Sequence, residues 1–194
     1  MASVLELRPR AREEFTSSLG MIVFLASWGM MFAGLFFSYA YVRTSAVSWP
    51  PIGTPTLPVA LPALNTLVML GSSFTFMRGV SALRKGRRSG LTTWVFVTLV
   101  LGAVFLALQL SVWQSVAESG LHITSGLFGS VFYGLTCFHA LHVAVGLVIL
   151  LWVLFRSSRG HYTEHNIMNV SSCAMYWHFV DIVWVLMFVS IYLL

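Results

Sequence analysis

"YWHFVDIVW", Tyr176 to Trp184, decides how the chain is read. It sits inside residues 174–194, a run that is otherwise almost wholly apolar. Such a run is long enough to cross a bilayer, whose hydrocarbon core takes about 20 helical residues. Yet it holds a histidine, His178, and three residues later an aspartate, Asp181. Both side chains are costly in hydrocarbon unless they are paired or used. The stretch therefore implies a membrane, and it also asks what its polar residues are for.

The rest of the chain supports the membrane. Of its 194 residues 58% are hydrophobic and only 9% are charged. Its mean hydropathy is +0.85. A soluble domain has about a quarter of its residues charged. The formal charge of +5 could point to nucleic acid. The basic residues instead punctuate apolar runs, which makes them topology signals, so no nucleic-acid partner is expected. Cys137 and Cys173 lie far apart and form no CxxC pattern; they read as two buried thiols. The first eighteen residues are polar and mixed in charge, with no signal-peptide pattern.

The spacing of apolar runs predicts an all-α bundle of five transmembrane helices, over about residues 18–41, 58–83, 92–116, 126–155 and 171–194. The chain is expected to form a single membrane domain. Residues 43–56 include "SWPPIGTP", which cannot continue a helix. Residues 84–90, "RKGRRSG", form a short basic loop. With the N-terminus inside, ten of the eleven Lys and Arg fall on the inner side and only Arg43 on the outer. The positive-inside rule thus predicts a cytoplasmic N-terminus and an outer C-terminus. Gly126, Ser130 and Gly134 form a small-xxx-small stripe that would let another helix approach. Gly71, Ser72 and Ser73 give the second helix a similar small, polar spot.

Polar residues inside the spans are the natural candidates for function. The fourth helix carries "CFHALHV", with His139 and His142 at i, i+3; the fifth carries His178 and Asp181 at the same spacing. Residues three apart share a helix face. Asn65, Thr66 and Gln109 are milder cases. Heme held between two helices needs its histidines at similar depth. From the inner helix ends, His139 and His142 lie roughly 21–25 Å deep and His178 roughly 9 Å. That gap counts against heme. Asp181 is the only acid inside a span, which is sparse for an ion path. A metal needs three or four convergent ligands, which two pairs at different depths do not supply. Residue physics alone thus reads as a five-helix membrane protein with a structural polar core of His139, His142, His178 and Asp181. It expects no catalytic residue and no metal site in this chain. A stand-alone membrane cytochrome b and a transporter remain the alternatives.

The motifs say more. "YWHFVDIVWVLMFVSIY" closely resembles the last helix of subunit III of the heme–copper oxidases, the cytochrome c oxidase family. "ITSGLFGSVFYGLTCFHALHVAVG" looks like the helix before it. "LNTLVMLGSSFT" and "WGMMFAGLFFSYAY" resemble two earlier helices, and Gln109 falls where the family often has glutamine. The matches run in order over nearly the whole chain. They resemble the short bacterial form, which lacks the first two of seven helices. The resemblance implies a non-catalytic subunit of a respiratory complex that reduces oxygen and translocates protons. It implies heme and copper in partner subunits, with subunit I the main partner and subunit II another, and a place in the bacterial inner (cytoplasmic) membrane. It also implies bound phospholipids and support of proton uptake. Arg84, Arg156 and His165 are the expected contacts to lipid headgroups, since basic clusters at the membrane edge favour anionic lipid.

Two departures stand out. The family commonly has an acid just after a serine in its matching early helix; here Ser27 is followed by Trp28. Before the last helix it often has "FE"; here Val170 and Ser171 stand there. Proton buffering by those acids is not implied for this chain. A branch serving a quinol oxidase or a nitric oxide reductase is the alternative within the family.

Overall fold

The structure is a computed structural model that describes residues 2–51, 54–55, 57–163 and 167–194; over residues 2–14 it describes the backbone alone. Five α-helices follow one another: α1 Ala2–Ser45, α2 Ala60–Arg84, α3 Arg88–Glu118, α4 Gly126–Ser158 and α5 Met168–Met187. A short π-helical turn, Phe188–Leu193, extends α5. No strand occurs among the described residues. All five helices are long and apolar enough to cross a membrane.

Four helices close a ring. α2 packs on α3, α3 on α4, α4 on α5, and α5 back on α2. α1 lies outside this ring and packs on α4 and α5. Side-chain pairs set the directions. Thr75 meets Thr98 at 2.9 Å and Asn65 meets Gln109 at 3.4 Å, so α2 and α3 run antiparallel. Thr92 meets Ser157 at 2.7 Å and Trp113 meets Thr136 at 3.1 Å, so α3 and α4 do too. The Tyr39 hydroxyl donates to the Ser190 carbonyl at 2.6 Å, and Phe32 lies beside Phe179; α1 therefore runs parallel to α5. The start of α1 and the α2–α3 and α4–α5 links share one end of the bundle, the basic end.

The short links follow from glycine. At the end of α2, Gly86 has φ +71°. Its N–H bonds to the Leu83 carbonyl, and the Arg87 N–H bonds to Ala82. Gly160 ends α4 the same way, with φ +74° and the His161 N–H on the Arg156 carbonyl. This closure needs a left-handed residue, which glycine adopts without a Cβ penalty, and it satisfies carbonyls that the helix end leaves free.

Three expectations change. α1 starts at Ala2, well before residue 18, because the polar leading segment is rich in Leu, Arg and Glu, good helix formers. Among the described residues, the Gly126, Ser130, Gly134 stripe holds no other helix of this chain. A Cβ on Gly126 or Gly134 would meet nothing within 4 Å, and Ser130 is exposed. The close approaches fall on Gly102 and Gly146 instead, where an added Cβ would lie 2.8 Å from the Trp177 ring. Finally, Cys173 is buried but Cys137 lies on the outer face of α4.

Candidate functional site

The polar core is built around α5. Its aromatic residues carry N–H and O–H groups that need partners once buried. The Trp177 Nε1 donates to the Ser72 hydroxyl at 3.0 Å, and the Trp184 Nε1 to the Thr66 hydroxyl at 2.9 Å. The Tyr176 hydroxyl donates to the His142 carbonyl at 2.9 Å. Three donors on one helix thus tie α5 to α2 and α4. They pass unnoticed in a search for ionisable groups. The available signal is a Trp or Tyr inside a span in a chain whose other spans offer Ser and Thr.

His139 and His142 lie on α4 and are 1% and 4% exposed. They serve different neighbours. His139 sits in the four-helix ring, its ring centroid 5.3 Å from Trp184 and 5.8 Å from Phe105. His142 turns toward α1. Trp28 meets it edge-on at 4.3 Å and Phe32 at 5.1 Å. The Nδ1 of His142 lies 2.6 Å from the Phe138 carbonyl, as its N–H donor form requires. Trp28, which stands where an acid was expected, therefore packs an aromatic ring on an imidazole.

Asp181 is 6% exposed, and His178 is half-buried. The Ser73 hydroxyl on α2 and the His178 imidazole lie near the Asp181 carboxyl. His178 thus lies partly on the outer surface of this chain, whereas Asp181 faces inward between α5 and α2.

The depth gap read from the sequence shrinks here. Gly146 lies against the Trp177 ring, and His142 lies four residues from Gly146. His142 is thus about 6 Å beyond the level of Trp177, and His178 about 1.5 Å beyond it. The inner ends of α4 and α5 lie at different levels, which counting from those ends ignored. By the same count His139 stays about 9 Å beyond His178, and direction separates the groups further: His142 points to α1, His139 to α3 and α5, and Asp181 to α2. No group of three His, Cys, Asp or Glu gathers among the described residues.

The basic residues lie at one end. Arg84 is exposed at the last turn of α2. The Arg156 guanidinium stacks 5.0 Å over the Trp152 ring. Burial pushes the neighbouring Tyr162 phenol up, with the Arg156 charge acting against the rise. His165 lies outside the described residues.

The chain is similar to known proteins over most of its length. The model of the family described as cytochrome c oxidase subunit III matches residues 14–194. A Synechocystis sp. protein named cytochrome c oxidase subunit 3 is 42% identical over 176 residues, covering 90% of this chain and 74% of that one. A Nocardia farcinica protein named probable cytochrome c oxidase subunit 3 is also 42% identical, with 90% and 86% covered. The rat protein of that name is 37% identical over 181 residues, with 89% and 67% covered. With five helices able to cross a membrane and a match over nearly its whole length, the chain belongs to the cytochrome c oxidase subunit III family.

Proposed function

We propose that this chain is subunit III of a respiratory heme–copper oxygen reductase, and that it works by bracing the catalytic subunit. The family match over residues 14–194 carries the reading. Heme and copper would belong to the partners. His139 and His142 are enclosed by aromatic rings and point in different directions, so they do not form a paired ligand set.

What its residues do is hold shape. The Trp177, Trp184 and Tyr176 bonds fix α5 against α2 and α4. In this reading residues 1–194 form one membrane domain, with the basic end cytoplasmic, in a bacterial inner membrane. Subunit I is the main partner and subunit II a further one. His139, His142, His178 and Asp181 are structural, and Arg84 and Arg156 meet phospholipid headgroups.

Affinity purification of the tagged chain in mild detergent tests the assignment. A heme–copper subunit should be recovered with it, and the eluate should show heme absorbance. Recovery of a membrane complex without such a subunit would overturn it.

A further inference from the structure

Beside the turn between α2 and α3 lies a half-open cavity of about 410 Å³ lined by Arg78, Ser81, Lys85, Arg87, Ser89 and Trp94. The lining includes three cations and no acid. The two helices approach closely here. A Cβ on Gly90 would lie 2.9 Å from the Ala82 Cβ, and one on Gly79 would lie 3.1 Å from the Trp94 Cβ. Lys85 and Arg87, which flank the Gly86 turn in sequence, both line the cavity. Arg78 is held by rings: its guanidinium carbon lies 5.4 Å from the Phe74 centroid and 5.6 Å from that of Trp94. A planar guanidinium on aromatic faces keeps its forked donors free for an oxyanion.

We infer that this cavity binds the phosphate of one anionic phospholipid. The charge calls for a phosphate, and the surroundings call for a lipid. The cavity lies at the end of two membrane-spanning helices, where aromatic and basic side chains mark the headgroup level. Leu67, Leu70 and Phe74 lead away from it on the same face of α2 as Arg78, Ser81 and Lys85, at helical spacings of three and four. They are exposed by 67, 45 and 60%. An acyl chain laid along that stripe would continue directly from the bound phosphate. Arg84, the sequence-based candidate on this hairpin, does not line the cavity.

The inference rests on the proposed complex only for its sample. Recovery of the complex tests the proposed function, and lipid occupancy within it tests the site. The assembled complex is incubated with phosphatidylglycerol or phosphatidylcholine vesicles and weighed by native mass spectrometry. Wild type should retain one more phosphatidylglycerol than phosphatidylcholine. Arg78→Gln with Arg87→Gln should lower that retention at least fivefold. Arg88→Gln with Arg159→Gln removes the same charge from outside the cavity and should leave it unchanged. Equal loss in both pairs, or none in the first, overturns the site. Binding of inorganic phosphate without retention of phosphatidylglycerol makes it a site for free phosphate and overturns the lipid assignment. If the first pair fails to assemble, a photoreactive phosphatidylglycerol on the wild-type complex decides. Labelling within residues 67–94 supports the site, and labelling only elsewhere, or on a partner chain filling the cavity, overturns it.

Discussion

The Trp177 indole on α5 donates to the Ser72 hydroxyl on α2 at 3.0 Å, and both residues are fully buried. The same indole fills the space left by Gly102 on α3 and Gly146 on α4. One side chain thus contacts the other three helices of the ring. Trp177→Ala removes ring volume and the N–H together, and should cost about 3–5 kcal/mol, as large aromatic truncations to alanine do. Ser72→Ala removes only the acceptor, and an interhelical hydrogen bond in a membrane is worth about 0.6 kcal/mol on average. Thermal unfolding of the detergent-solubilised complex should rank the two variants in that order.

Glycine substitutions should separate tight contacts from open ones. Gly146→Ala places a methyl 2.8 Å from the Trp177 ring, whereas Gly134→Ala meets nothing within 4 Å. The first should lower the midpoint of unfolding by several degrees and the second should leave it unchanged. Side-by-side melting curves check this.

Trp28 reaches His142 at 4.3 Å, and α1 packs mainly on α4 and α5. Trp28→Ala should therefore loosen α1 without opening the ring. Hydrogen exchange should quicken over residues 20–40 and stay unchanged in α2 and α3. Equal quickening in all helices would contradict this layout.

Asp181 lies near Ser73 and His178. Asp181→Asn keeps its size but replaces one acceptor oxygen with an NH2 donor, so at most one hydrogen bond of the carboxylate is lost. It should reduce the stability of the complex by about 1 kcal/mol, in the range of a single membrane hydrogen bond. Oxygen consumption by the intact complex should stay near wild type. Complete loss of turnover in an assembled complex would give Asp181 a part in proton transfer.

The spans were legible in the sequence because hydrocarbon demands long apolar runs, and these stand out from their basic and proline-rich links. Burial of His139, His142 and Asp181 was legible for the same reason. The direction each residue faces was not. The Gly126, Ser130, Gly134 stripe and the Gly102 and Gly146 contacts look alike as small residues. Only the position of Trp177 tells them apart. The relative levels of α4 and α5 were misjudged because helix ends need not lie in one plane. The setting of Arg78 was not legible, because Trp94 comes beside it only when α3 folds back on α2.

The most direct test of the central claim is the composition of the complex recovered with the tagged chain. Mass spectrometry of its subunits, paired with a reduced-minus-oxidised absorbance spectrum, should show a heme–copper catalytic subunit in equal amount to this chain. Heme bound in stoichiometric amount to this chain alone, with no catalytic subunit present, would contradict the account.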